Sequence, residues 1–288
     1  MNRNTHRIKV VLQKLYAKYN RPELIKPDPL QFVYRYADPG DMEIVAFFAA
    51  ALAYGRVEQI ERSLVSLFSR MGESPVAFIR GFDGSGRGRL SGFKHRFTTG
   101  DDIADLCELL SEVLSQYGSM ESFFVRGYNR RDRNIISALS KFCDSLCSVY
   151  AGRHGGRVSS GLKYLLASPA RGSASKRLNL FLRWMVRRDA VDAGLWKSVD
   201  KAKLIVPVDV HIARLCRILG LYDQKTVSLS AALKITESFA AIEPADPVKY
   251  DFALSRIGIL EDCSGRYRSE CELCELFEYC MKREGWAV

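Results

Sequence analysis

Four cysteines lie near the end of the chain in the order Cys263-x7-Cys271-x2-Cys274-x5-Cys280, and no other feature restricts the possible fold as strongly. Soft thiolates this close in sequence can converge on one inorganic centre, and four of them complete a tetrahedral or cubane ligand set. The residues between them include Ser264, Gly265, Arg266 and Ser269, polar and turn-prone, as a loop wrapped around such a centre requires. Structural zinc sites usually present two separated C-x2-C knuckles. Here a single C-x2-C is flanked by two lone thiols, which favours an iron–sulfur cluster and leaves zinc as the alternative.

The remainder of the chain must supply the scaffold. Its 288 residues suffice for one large domain or two ordinary ones. Hydrophobic residues at 47% and charged residues at 26% are the balance of a globular protein in water. The opening MNRNTHRIKVVLQKLY has neither a long apolar segment nor a small-residue cleavage site, so no export signal is expected. The longest apolar run, Ile44 to Tyr54, is too short to cross a bilayer and reads as a buried helix. Eight cysteines without an export signal point to reduced thiols or metal ligands, and the expected compartment is the cytoplasm. Lys plus Arg exceed Asp plus Glu by 43 to 33, a net +10 that favours a polyanionic partner through counterion release.

Periodicity is helical throughout. Ile8, Val11, Leu12, Leu15 and Tyr16 mark an amphipathic helix over 6–19, and four prolines over 20–40 predict a connection with short turns. Asp41 is the expected cap of an apolar helix over 42–53, followed by a helix over 57–71. The Gly-rich, basic stretch RGFDGSGRGRLSG at 80–92 reads as a flexible loop. Helices are expected near 101–116, 119–126, 132–150, 160–168, 175–188, 210–219, 228–240 and 247–258. No period-two alternation persists, so the fold class is all-α. Cys107, Cys143, Cys147 and Cys216 have no second ligand set beside them and read as small buried hydrophobes, and Trp184 and Trp196 read as core or lobe-packing residues, with a place in a base pocket the alternative for one of them.

Two further segments carry chemistry. Residues 165–179 give a helix, a Gly/Ser turn (Gly172, Ser173, Ala174, Ser175), then Lys176 and Arg177 opening a second helix. A turn of small residues at a helix N-terminus exposes backbone N–H groups that suit a phosphate. In Pro207-Val-Asp209-Val-His211-Ile-Ala-Arg214, Asp209 stands at the N-cap of an amphipathic helix.

Taken in order, the hairpin with its lysine, the P-V-D-x-H-x-x-R segment and the four-cysteine loop resemble the helix-hairpin-helix DNA glycosylase superfamily. The likeness is to its iron–sulfur members related to endonuclease III, and it spans about residues 160–280. More loosely, the helix from Met42 to Gly55 resembles the start of that family's helical barrel, and the whole chain resembles a bacterial family belonging to this superfamily. The first cysteine gap is one residue longer than in endonuclease III, Ala174 replaces a glycine, and the interval from Lys176 to Asp209 is longer. In that last respect the chain is similar to the archaeal 8-oxoguanine glycosylases.

The resemblance implies a two-lobed, all-helical protein. A barrel lobe with the hairpin would span 41–194, and a second lobe would combine 1–40 with 195–288 and carry the cluster loop. It implies a DNA glycosylase with abasic-site lyase activity, acting on damaged double-stranded DNA in base excision repair. Lys176 would attack C1′ and Asp209 would stabilise charge on the sugar, with the target base flipped from the stack. The same resemblance assigns Cys263, Cys271, Cys274 and Cys280 to a [4Fe–4S] cluster of structural role. Arg177, Arg214 and Gly172 to Ser175 would meet backbone phosphates, and Tyr54 and Arg56 would stand where the family inserts a residue into the duplex. Arg87, Arg89, Lys94 and Arg96 form a basic loop read chiefly as solvated. No membrane or protein partner is expected, and the protein would associate with the nucleoid when bound to DNA. The competing expectations are a non-catalytic DNA- or RNA-binding protein on the same scaffold, a glycosylase that uses Asp209 and water without lyase action, and a zinc-stabilised interaction module.

Overall fold

Short polar residues set most of the helix starts, because an unpaired amide in the first turn needs an acceptor. The computed structural model describes residues 3–224, 226–261, 263 and 265–280, so parts of the expected second lobe, Ser264 of the cysteine loop among them, lie outside the described residues. After α1 (Arg3–Tyr19), two short 3-10 turns carry the proline-rich connection. The Asp38 carboxylate caps α2 (Pro39–Ala51), and Pro39 occupies its first turn, where no amide is missed. Asp41 is therefore not the cap that the sequence suggested. Its carboxylate accepts from the Ser74 hydroxyl and the Val76 amide, both at 2.8 Å, and so organises the start of α4 (Pro75–Arg80) beyond α3 (Val57–Met71).

The Gly-rich stretch is ordered, contrary to the loop expected from its composition. Asp83 caps α5 (Gly84–Leu90), accepting from the Gly86 amide at 2.9 Å. Arg87 pairs with Asp105 and Glu108 of α6 (Gly100–Tyr117), which supplies the packing that glycine-rich local propensity lacks. A two-strand hairpin follows α5, β1 (Lys94–His95) against β2 (Thr98–Thr99), antiparallel with Lys94 opposite Thr99. It is the only sheet among the described residues. The chain continues through α7 (Met120–Val125), α8 (Ile136–Arg153), α9 (Ser160–Leu165), α10 (Lys176–Val186), α11 (Val210–Ile218), α12 (Leu229–Ala240) and α13 (Asp251–Leu260). The described residues are mostly helical, in keeping with the all-α class expected from periodicity.

The core runs continuously along α2, whose residues from Ile44 to Ala51 are all buried, as is Leu52 at its cap. That helix packs on α10 and on the 3-10 segment Pro29–Arg35, which also meets α3. At the other end α1 packs on α13, and α13 on α11, so the first and last α-helices among the described residues share one layer. Trp184 and Trp196 are core, and Cys107, Cys143 and Cys216 are buried with Cys147 half-buried, as expected. Among the described residues no helix is long and apolar enough to cross a membrane.

One polar knot runs through this apolar interior. Arg183 of α10 and Arg187, which caps its C-terminal end, are both buried and share Asp192, and Arg183 also reaches Asp251 at the start of α13. Arg187 adds Asp189 at 2.9 Å and Asp246 at 2.9 Å. Nearby, Arg256 of α13 donates to the Leu24 carbonyl at 3.1 Å and pairs with Asp28 at 3.3 Å, tying the proline-rich connection to the C-terminal layer. Buried charges are tolerated only where such partners exist. The knot therefore fixes α10 against α13.

Candidate functional site

The turn before α10 is built from its own small residues. Ser168 accepts from the Ala170 amide at 3.3 Å, and Gly172 takes a left-handed φ of 78° that a side chain would resist. Ser175 is also left-handed, at φ 46°, an uncommon state for serine. It is held there because its buried hydroxyl donates to the Ala167 carbonyl at 2.7 Å and its amide to Ser173 Oγ at 3.0 Å. Asn179 donates to the Ala174 carbonyl at 3.0 Å and closes the turn from inside the helix. Lys176 emerges as the first residue of α10.

Asp209 arrives from the opposite side. Extended at φ −122°, it caps α11 with Oδ1, which accepts from the His211 and Ile212 amides, both at 2.9 Å. Its other oxygen, Oδ2, lies 2.9 Å from Lys176 Nζ. The cap and the contact with lysine use different oxygens, so neither role displaces the other. Burial would raise the Asp209 carboxyl, but the Lys176 ammonium and the Ile212 amide outweigh it and hold it below the usual carboxylate range.

This pair lies between two hollows. One, about 510 Å³, is lined by the turn residues Gly172 to Ser175, by Tyr54 and by Val208. The other, about 250 Å³, shares Lys176, Asp209 and Tyr54 and is floored by Arg183, Asp251 and Arg256. Asp251 is buried, which raises its carboxyl even though Arg183 draws it down, and the charges of Asp209 and Lys176 also reach it. Two carboxylates beside one amine are thus pushed in opposite directions, Asp209 down and Asp251 up. Asp251 Oδ1 and Arg183 Nη2 have no hydrogen-bond partner among the described residues. Neither residue was singled out from sequence. An Asp inside the apolar run YDFAL was the available signal, and only the packing of α13 on α11 gives it meaning.

The expected DNA contacts divide. Gly172, Ser173, Ala174 and Ser175 do line the larger hollow. Arg56 is exposed at the start of α3. Arg177 is turned inward: it donates to the carbonyls of Ala51, at 2.7 Å, and Tyr164, and lies over the rings of Tyr54 and Tyr164. Both its terminal nitrogens are engaged, so here it braces α10 against α2 instead of reaching for a phosphate. Arg214 contacts the His211 ring and donates to the Cys263 carbonyl at 2.7 Å, joining the Asp209 helix to the cysteine loop. His211 is exposed, and its part in the Asp209 turn is its backbone amide.

Cys271 lies in the short 3-10 turn Ser269–Leu273, Cys274 caps its end, Cys280 caps the turn Phe277–Tyr279, and Cys263 precedes both, all four partly buried. The Cys271 sulfur accepts from the Arg268 amide at 3.3 Å. Burial raises the Cys274 thiol, and the charges of Cys263 and Cys271 add to it, so these three sulfurs share one electrostatic neighbourhood. Among the described residues, however, no three His, Cys, Asp or Glu side chains are gathered closely enough to hold a metal ion. The donor chemistry of four thiols on one short loop still fits an iron–sulfur cluster or zinc.

No curated protein and no solved structure matches the chain. One family matches residues 28–260, a stretch that includes Lys176, Asp209 and Asp251 and stops short of Cys263. That match covers most of the chain, which therefore belongs to the family described as protein of unknown function DUF2400.

Proposed function

We propose that the protein is a DNA glycosylase with abasic-site lyase activity, acting on damaged duplex DNA. The observation that carries this reading is the Lys176 Nζ–Asp209 Oδ2 contact of 2.9 Å, placed between a helix-turn-helix element and two hollows. A base swung out of the stack would enter one hollow while its backbone follows the small-residue turn. A proton leaves Nζ by way of Asp209, and the freed amine attacks C1′ as the C1′–N bond breaks. The departing base takes the bonding pair and a proton. The C1′–O4′ bond then breaks, O4′ takes the bonding pair and a proton from Nζ, and a Schiff base is left between Nζ and C1′. Asp209, held ionised, stabilises the positive charge that builds on the sugar.

The test is borohydride trapping and base release, using anaerobically purified protein. Duplexes would carry an abasic site, 8-oxoguanine, an oxidised pyrimidine or uracil. A covalent adduct supports the reading; no adduct and no released base on any duplex, with DNA still bound, replaces it with the non-catalytic binder. The ion pair itself favours a second reading, since a lysine that keeps its proton against Asp209 is no nucleophile. Asp209 and a water could then release the base alone, and base release without trapping would establish that.

The cysteine loop belongs to the same proposal. Cys263, Cys271, Cys274 and Cys280 would hold a [4Fe–4S] cluster whose contribution is structural, with zinc the alternative. Because Arg214 joins Cys263 to the Asp209 helix, the loop's order bears on the site. Anaerobic protein is expected to be brown, with absorbance near about 400 nm and close to four irons per chain, as a cluster of this type requires. Cys274→Ser should lose that absorbance and weaken DNA binding. A colourless protein carrying one zinc would assign the loop to zinc.

A further inference from the structure

The hairpin between α5 and α6 carries an aromatic side chain where a solvated turn would be cheaper. Its two-residue loop is Arg96–Phe97, and Arg96 has φ 54°. Tight hairpin loops normally give that conformation to Gly, Asn or Asp. Here the Arg96 side chain fills the space beside Gly55, which itself has φ 101° and no room for a Cβ: the Arg96 Cδ would be 2.9 Å away. Phe97 is thereby turned outward, 59% exposed.

The hairpin is anchored firmly beneath that tip. His95 is fully buried, with one ring nitrogen 2.9 Å from Ser63 Oγ and the other 3.0 Å from the Tyr54 carbonyl. The Tyr54 hydroxyl lies 3.1 Å from the His95 carbonyl and 2.7 Å from Thr98 Oγ1. Phe97 then stacks on Tyr54 with ring centroids 5.5 Å apart and an interplanar angle of 19°, while Tyr164 closes both edge-on at 5.2 and 5.3 Å. The Arg177 guanidinium lies over Tyr54 and Tyr164, and that of Arg96 lies 5.4 Å from the Phe97 ring. Tyr54 also lines both hollows beside Lys176. The result is a rigid aromatic step with cations around it, one ring face held from inside and the outer residue open to solvent.

We infer that Phe97 is a stacking platform for a nucleobase left without its neighbour when a nucleotide is drawn toward Lys176. This rests on the DNA-binding reading above and adds a contact site to it. A π face accepts any base, so the platform would recognise the gap in the stack and not its sequence. Polyanion attraction brings the backbone near, and the preformed ring stack avoids an ordering cost at binding.

The experiment compares full-length wild type, Phe97→Ala and Phe97→Trp by fluorescence anisotropy. Two duplexes are used, one undamaged and one carrying a tetrahydrofuran abasic analogue with 2-aminopurine opposite it. Phe97→Ala is expected to lose about 5- to 150-fold in affinity for the analogue duplex and little for the undamaged one. It should also relieve the quenching of 2-aminopurine seen with wild type, and Phe97→Trp should restore both. The exposed position makes unfolding an unpromising explanation, and a melting curve matching wild type excludes it. Equal affinity of wild type and Phe97→Ala for the analogue duplex, or an equal loss on both duplexes, would overturn the platform while leaving the DNA reading intact. Wild type that binds neither duplex would overturn both.

Discussion

Lys176→Ala is expected to abolish the borohydride-trapped adduct, since no other amine lies against Asp209 among the side-chain contacts of the described residues. Asp209→Asn provides the complementary loss. Asparagine caps a helix as well as aspartate does, so α11 should persist while base release falls by about 10²- to 10⁴-fold, the range for a positioned acid–base group. A variant that keeps its adduct after losing Lys176 would remove this lysine from the chemistry. The pair also has a pH signature. Asp209's folded carboxyl is below the ordinary range, so its share of stability is present above the unfolded carboxylate range. That share is lost as pH falls through the lower folded value. In Lys176→Ala burial, the largest single influence, loses the charge that opposes it most, and the carboxyl should move upward, a shift visible by NMR titration.

Asp192→Ala is expected to cost about 3–5 kcal/mol in urea unfolding, the penalty of leaving buried charge without its partner. The carboxylate is fully buried and serves Arg183 and Arg187 together. Its loss would leave Arg183 leaning on Asp251 and Arg187 on Asp189 and Asp246. Asp251 borders the smaller hollow, so the damage would spread from stability to the site. A loss below about 1 kcal/mol would mean that the remaining carboxylates compensate and that the knot is redundant.

Much of the fold was legible because it depends on neighbours in sequence. Apolar spacing located most of the helices, and for α6, from Gly100 to Tyr117, it came within a residue at each end. Asp209 was recognisable as a cap because capping requires only its own carboxylate and the next few amides. The errors share a cause. Asp41 looked like a cap and serves another helix, and the Gly-rich stretch looked mobile and is helical against α6. In both cases a partner distant in sequence overrides local propensity.

Sequence by itself determined the helical class, the turn before Lys176, the cap at Asp209 and the thiol-rich loop, each a matter of residues within a few positions of one another. Tertiary structure decided the rest. It set Lys176 2.9 Å from Asp209, turned Arg177 inward, brought Asp251 to the hollow that the pair lines and stacked Phe97 on Tyr54. These depend on which helices pack together, and burial then sets what each polar group must pair with. Local spacing carries no record of that.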